Sequence, residues 1–279
     1  MKKACVVGRP ISHSRSPLIH NYWLSHHHIE GRYEIAPVEP ASLSTFLATL
    51  GDRGYEGCNV TIPHKESAFQ FIANIDDETR RLGAVNTVYR RNGKLCATST
   101  DGEGFIRNLN ANAPGLALAN SKVAVLGAGG SSMAIVAALL DENVAEIMVF
   151  NRTFEKSQAL RRRFGSKITP ETWDNLNSHI AESSLLVNTT SLGMTGQPRL
   201  EIELSALPES ATVADIVYTP LLTPLLRSAA ERGLTVVEGL GMLLHQAVRG
   251  FQLWFAVTPA VTDELYDLVA KDIDPEYRR

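Results

Sequence analysis

The run Lys122 to Leu126 is short and almost wholly apolar. It ends on Gly127-Ala128-Gly129-Gly130-Ser131-Ser132 and gives way to an apolar stretch through about Leu140. A buried strand, a glycine turn and a helix in that order form the unit from which parallel α/β sheets are built. The pattern recurs. Glu146 to Phe150 and Ser184 to Asn188 read as strands, with Phe154 to Phe164 helical between them. Val213 to Val217 and Thr235 to Val237 read as further strands around a helix from about Pro224 to Arg232. Their Val, Ile and Leu residues run on without alternating, which predicts strands covered on both faces. The expected form of this half is a doubly wound parallel sheet.

The first hundred residues also alternate strand and helix. Ala4 to Val7 reads as a strand, and Ser16 to Leu24 as a helix with Pro17 in its first turn. Tyr33 to Val38 is strand-like, Ser42 to Leu50 helical, and Gly57 to Thr61 a strand, after which Pro63 is expected to open a helix through about Ile72. Val85 to Arg90 and Lys94 to Thr98 flank Arg91-Asn92-Gly93, and the Asn-Gly pair predicts a hairpin. Asn110 to Asn120, with Pro114 and Gly115, reads as a loose join between two α/β domains. After Gly241, Leu243 to Ala256 and Thr262 to Ala270 are helical and have no strands of their own. Their apolar faces are expected to pack back on the first domain.

Composition narrows the function classes. The 279 residues are 44% hydrophobic and 20% charged, which excludes a disordered or fibrous chain. Twenty-seven basic against 30 acidic residues give a net charge of −3, so no global basic field exists to hold nucleic acid or an anionic membrane. No apolar run is long enough to cross a bilayer, and the run Ala4 to Gly8 is too short for a signal peptide. Cys5, Cys58 and Cys96 are odd in number and widely spaced, which fits reduced thiols better than disulfides or zinc. A cytoplasmic enzyme is expected, with no membrane or nucleic-acid partner.

The glycine turn points to a dinucleotide. Gly127 permits the tight turn, and Gly129 lets backbone N–H groups approach a pyrophosphate at the helix N-terminus. Ser132 stands at the third glycine position, where a small residue still allows close packing. An NAD-binding domain usually ends its second strand on Asp or Glu, whereas here the strand ends Phe150-Asn151-Arg152-Thr153. A guanidinium can grip a 2′-phosphate that a carboxylate would repel. The expected cofactor is therefore NADP, with Lys156 one helical turn past Arg152 as a second cation.

In the first half, Asn59-Val60-Thr61-Ile62-Pro63-His64-Lys65 places polar groups at the end of a strand, where ligands of α/β sheets gather. Lys65 stands in a first helical turn, where a cation opposes the helix dipole, and that suggests a chemical role. Ser14 and Ser16, between the first strand and helix, can offer hydroxyls to a small anion. Asp101, in Ser99-Thr100-Asp101-Gly102, can be a helix cap or a catalytic carboxylate. His13 and His64 flank these groups as candidates for a minor role, whereas His26-His27-His28 reads as a solvated helix end because consecutive side chains cannot face one ion. No metal is expected. Phe251, Trp254 and Phe255 fall at helical spacing and read as core.

The chain resembles the shikimate dehydrogenase family over nearly its whole length. The matching stretches are Gly8 to Pro17, Asn59 to Lys65, Gly83 to Thr87, Thr100-Asp101-Gly102 and Asn151-Arg152-Thr153. They continue with Asn188 to Met194, Asp215 to Tyr218 and Gly241-Met242-Leu243. The resemblance implies NADPH-linked reduction of 3-dehydroshikimate to shikimate, with Lys65 and Asp101 as the catalytic pair. It implies that Ser14 and Ser16 hold the substrate carboxylate, with Tyr218 nearby, and that Thr61, Asn86 and Gln246 bond the ring hydroxyls. Asn151, Arg152, Thr153 and Lys156 would meet the 2′-phosphate. Gly127, Ala128, Gly129, Gly130 and Ser131, together with Thr190, Gly239 and Met242, would complete the cofactor site. Two departures stand out: Ser99, where the family commonly has Asn, and Lys156, where Arg is frequent.

The implied division is residues 1–101 with 242–279 for substrate, and 102–241 as a Rossmann-type domain for NADP. Hydride transfer needs reacting atoms at about 3–3.5 Å, so the two halves are expected to face a common cleft. Gly239 and Gly241 are hinge candidates where the chain returns to the first domain. The alternatives are a quinate/shikimate dehydrogenase with relaxed cofactor use, and a noncatalytic NADP(H)-binding sensor. A monomer or a homodimer fits either.

Overall fold

The computed structural model describes residues 1–278. By its internal contacts the chain forms two units, residues 1–100 with 244–269, and residues 101–243 with those from 270 onward. The first contains β1 (Lys2–Gly8), α1 (Ser16–His26), β2 (Gly31–Pro37), α2 (Leu43–Ala48), β3 (Tyr55–Val60), α3 (Lys65–Phe71), β4 (Asn74–Ile75), α4 (Asp77–Leu82), β5 (Thr87–Arg91) and β6 (Lys94–Thr98). Its sheet runs in the order β2-β1-β3-β5-β6-β4. β1 pairs parallel with β2 and β3, and β5 is antiparallel to β3 and β6. The hairpin turns where Asn-Gly predicted it, with Asn92 and Gly93 both at positive φ.

One face of this sheet buries Cys5, Val7, Cys58, Val60 and Val88 under Phe46, Leu47 and Ala68 of α2 and α3. Another cluster of the unit is aromatic: Trp23, Tyr33, Phe251, Trp254 and Phe255 are all buried around His20. Trp254 Nε1 donates to Val88 O at 2.9 Å, and Trp23 Nε1 donates to Ala260 O at 3.0 Å. These bonds tie the C-terminal residues 244–269 to the first sheet and to α1, as their unpartnered apolar faces required.

The second unit opens on α5 (Asp101–Asn112) and continues through β7 (Lys122–Leu126), α6 (Gly130–Asp141), β8 (Glu146–Asn151), α7 (Phe154–Phe164), β9 (Ile168–Thr172), α8 (Leu176–His179), β10 (Leu185–Asn188), β11 (Thr212–Asp215), α9 (Pro224–Glu231) and β12 (Thr235–Val237). The sheet order β12-β11-β10-β7-β8-β9 is parallel throughout. This is the doubly wound, Rossmann-like arrangement, with the strand order reversing beside β7. Val123 and Val125 of β7 enter a core with Phe105, Ile135 and Leu160, while Ala124 and Leu126 enter another with Leu176, Leu225 and Leu226. Each strand is thus covered on both faces.

Two helices cross the divisions of the chain, α10 (Gly239–Phe255) and α11 (Asp263–Ile273). Residues from 270 group with the second unit, whereas the sequence reading placed 242–279 whole with the first. Other boundaries also moved. Pro63 does not open a helix: His64 N donates to Thr61 O at 2.8 Å, closing a turn, and α3 starts at Lys65. The helix α5 reaches into the stretch read as loose from Asn110. Gly239 and Gly241 lie inside the first turn of α10, where the backbone is helical and a hinge has no slack. A Cβ at Gly239 would sit 2.6 Å from the backbone of Ile216 and Val217, and one at Gly241 1.8 Å from Asn108 Oδ1. Close packing, not bending, accounts for both glycines.

Candidate functional site

The strand ends of the second unit are built around the glycine turn. Gly127 takes φ +101°, and a Cβ there would press within 2.9 Å of Thr189 and Thr190. Ser132 is fully buried, and its hydroxyl donates to Gly127 O at 2.8 Å, so the serine braces the turn from within. Gly129 and Gly130 are exposed, with nothing within 4 Å of an added Cβ. Gly129 caps α6 without a side-chain acceptor, so the N–H groups of Gly130 and Ser131 begin the helix with open space before them. This is a cradle that a pyrophosphate fits.

Beside it, Asn151 Oδ1 accepts from Ala128 N at 3.2 Å and Asn151 Nδ2 donates to Thr153 O at 2.7 Å. Asn151 therefore joins the glycine turn to the end of β8, beside which Arg152, Thr153, Glu155 and Lys156 are exposed. Among the described residues, Arg152 and Lys156 have no acidic partner. Two such cations match a dianionic 2′-phosphate, so the residues present fit NADP. Met242, read as a cofactor contact, is 9% exposed and packs in the core of the second unit.

At the ends of β10 and β11, Asp215 is buried and accepts three hydrogen bonds, from Val217 N at 3.0 Å, Thr223 Oγ1 at 2.8 Å and Asn188 Nδ2 at 2.9 Å. Burial pushes its carboxyl up to about 6, and the three donors limit the rise. Asn188 Oδ1 in turn accepts from Thr190 N and Thr190 Oγ1, at 3.0 and 2.7 Å. Asp215 and Asn188 thus hold the Thr190 loop and start the Tyr218 loop. The matching motifs contained both residues, but no separate role was read for either.

In the first unit the polar groups gather on Asn86, which is 3% exposed. Its Oδ1 accepts from Thr100 N and Thr87 Oγ1, both at 2.9 Å, and its Nδ2 donates to Thr100 Oγ1 at 3.0 Å and Gln246 Oε1 at 3.3 Å. One residue before Asn86, Val85 N donates to Lys65 O at 3.1 Å. One residue after Thr100 comes Asp101, the first residue of α5. Asn86 and its neighbour thus hold the backbone at Lys65 and the residue that precedes Asp101. Thr61 is fixed by Thr61 N donating to Val7 O at 3.0 Å. In the Ser14–Ser16 loop, Ser14 Oγ accepts from Ser16 N at 3.3 Å.

The histidines divide differently from expectation. His64 is buried and its Nε2 lies 2.7 Å from Val38 O, so it serves the fold and has no access to a ligand. His13 is exposed, and His26 to His28 form a solvated helix end. His20, which no sequence pattern singled out, is fully buried with neither ring nitrogen hydrogen-bonded. Tyr218 is half-buried.

Known proteins match the chain along nearly its whole length. Residues 6–88 match the shikimate dehydrogenase substrate binding domain, 110–219 the shikimate/quinate 5-dehydrogenase domain, and 239–263 the shikimate 5′-dehydrogenase C-terminal domain. The shikimate dehydrogenase (NADP⁺) of Nitrobacter hamburgensis is 52% identical over 98% of this chain and 95% of its own. The shikimate 5-dehydrogenase structure from Thermus thermophilus, in complex with NADP(H) and shikimate, has a TM-score of 0.85 at 33% identity, covering 97% of this chain and 99% of its own. A quinate dehydrogenase from Corynebacterium glutamicum in complex with NAD has a TM-score of 0.88 at 26% identity, covering 96% and 99%. With its motifs in one order and its length matched almost end to end, the chain belongs to the shikimate dehydrogenase family.

Proposed function

We propose that the chain catalyses the reversible, NADPH-dependent reduction of 3-dehydroshikimate to shikimate, with Lys65 and Asp101 as its acid–base pair. In this reading the first unit carries Ser14, Ser16, Thr61, Lys65, Asn86 and Gln246, and the second carries the cofactor groups, Asp101 and Tyr218. The observation that carries the reading is the Asn86 framework. It anchors the Lys65 backbone through Val85 and holds Thr100, the residue before Asp101.

Bound NADPH supplies the hydride. Charge then builds on the ketone oxygen, and a positioned donor must stabilise it and provide a proton. Lys65, as ammonium, does this in reduction; in oxidation its neutral amine accepts the hydroxyl proton. In this reading Asp101 is the carboxylate that orients the lysine and the ring hydroxyl. Ser14 and Ser16, with Tyr218, hold the carboxylate, and Thr61, Asn86 and Gln246 bond the ring hydroxyls.

The test is Lys65→Ala, which should lower kcat by about 10²–10⁴-fold, the range of a general acid–base group, with substrate KM changed far less. An unaltered kcat would overturn the assignment. Oxidation of shikimate and of quinate, each with NADP⁺ and NAD⁺, separates this reading from one with relaxed substrate and cofactor use. Arg152 in place of an acid at the end of β8 favours NADP. We place the enzyme in the cytoplasm as a monomer or homodimer, and the free thiols of Cys5, Cys58 and Cys96 support that compartment.

A further inference from the structure

Tyr33, Asn59 and Thr87 are buried in the first unit at 2%, 6% and 0% exposure and have been given no role in the reaction. Their hydrogen bonds form a chain whose direction can be worked out. Burial keeps the Tyr33 phenol protonated well beyond its ordinary range. Tyr33 Oη donates to Asn59 Oδ1 at 2.6 Å. With its oxygen so engaged, Asn59 turns its Nδ2 to Asn86 O at 3.3 Å and Thr87 Oγ1 at 3.4 Å. A threonine hydroxyl has a single proton. Since Thr87 Oγ1 accepts from Asn59, that proton goes to Asn86 Oδ1. The Thr100 N–H meets the same oxygen, so Asn86 has its oxygen on two donors and its nitrogen on Thr100 Oγ1 and Gln246 Oε1. The one proton of Thr100 Oγ1 is shared between Gln246 Oε1 and Asn86 Oδ1, each at 3.3 Å. Gln246 therefore spends its oxygen on the protein, and the other half of its carboxamide is an N–H₂ donor.

We propose that Tyr33, Asn59 and Thr87 are positioning residues whose hydrogen bonds fix the carboxamide polarity of Asn86 and Gln246, so that a ring hydroxyl meets a donor at Gln246. The inference rests on the reading in which Asn86 and Gln246 bond the substrate ring. A free carboxamide presents its oxygen and nitrogen about equally well, and the relay removes that choice before substrate arrives. His20, stacked on the Tyr33 ring at 4.2 Å and 14°, holds the phenol in place without a hydrogen bond. The relay makes the site select for a hydroxyl. A substrate carrying the hydroxyl meets a donor already oriented and pairs at no reorganisation cost.

The experiment uses the full enzyme with NADP⁺ and compares Tyr33→Phe, Thr87→Val, Thr87→Ser, the Tyr33→Phe/Thr87→Val double variant and Gln246→Ala. Tyr33→Phe and Thr87→Val should each raise shikimate KM about tenfold, one hydrogen bond's worth, with the KM for NADP⁺ unmoved. Their kcat should stay within about twofold, the pattern of lost uniform binding. Thr87→Ser, which keeps the hydroxyl, should restore the parent KM. The double variant should cost no more than the worse single variant, because both cut one chain. Against 4-deoxy- and 5-deoxyshikimate, the variants should match the parent for the analogue that lacks the hydroxyl met by Gln246. An unchanged shikimate KM in Tyr33→Phe would overturn the relay, as would additive losses or a parallel rise in the KM for NADP⁺. If Gln246→Ala raises shikimate KM and Tyr33→Phe does not, the relay alone fails. If Gln246→Ala leaves KM unchanged, the reading of the ring site fails first.

Discussion

Arg152 has its cofactor role set by what surrounds it. It stands exposed where β8 gives way to α7, its neighbour Asn151 is committed to Ala128 and Thr153, and no carboxylate among the described residues engages it. Its guanidinium is therefore available to a 2′-phosphate, which NAD does not carry. Arg152→Gln should raise the KM for NADP⁺ about 10- to 100-fold, the worth of charge-assisted hydrogen bonds, and leave the KM for NAD⁺ within about twofold. Steady-state kinetics with both cofactors checks this, and equal changes for the two would show that Arg152 serves the fold and not the phosphate. The residue was legible in sequence because it departs from a rule with a physical cause. The bracing roles of Ser132 and Asn151 were not, since a serine or asparagine near a turn has many possible partners and only the folded chain selects one.

At the scale of elements, close approach between segments explains the glycines better than flexibility does. Gly57 lies in β3 where a Cβ would fall 2.1 Å from Trp254 Nε1 and 2.2 Å from Val88 O, the two ends of one hydrogen bond. Gly57→Ala should push the indole off Val88 and cost about 2–3 kcal/mol or more of stability, as overpacking does in a well-filled core. Urea unfolding followed by tryptophan fluorescence measures it; a loss under about 0.5 kcal/mol would mean that the indole has room to move. Continuous apolar runs and the Asn-Gly turn made the long strands and the hairpin readable. What escaped was short or at an edge. α4 has clear end signals, Asp76 accepting from Thr79 N at 2.7 Å and Gly83 at φ +66°, but six mostly polar residues show no apolar period. β9 carries Pro170, which the sheet tolerates at its edge and which masks a strand in the sequence. The helix expected from Pro63 starts at Lys65 because the preceding residues close a turn of their own.

For the molecule as a whole, stability against pH depends on buried groups that titrate differently once unfolded. Burial lowers His20 from 6.5 to about 3, so the folded chain keeps it neutral where the unfolded chain takes up a proton. Its contribution is complete above pH 6.5 and is lost as pH falls from there toward 3. Between pH 7.5 and 5 the loss is about 2 kcal/mol. Asp215 acts in the opposite sense: its raised carboxyl costs stability above about 6, and the cost is relieved on acidification. His20→Phe should remove the first effect and keep the second, so the gap between variant and parent should widen in the variant's favour by about 2 kcal/mol from pH 7.5 to 5. Unfolding midpoints at the two pH values test it, and parallel curves would show that His20 is not neutral in the fold. Packing changes caused by the larger ring drop out, because they do not vary with pH.

Taken alone, the sequence determined the two α/β halves, the cofactor turn, the preference for NADP and the identities of the polar groups. Periodicity, glycine conformations and charge are local properties that survive in a string of letters. Tertiary structure decided which of those groups share a support. Asn86, Thr100 and Gln246 come together from three separate stretches, and their donor and acceptor ends are assigned only when all three are in place. Hydrogen bonds fix polarity by pairing atoms in space, and pairing between distant residues is what a linear pattern does not record.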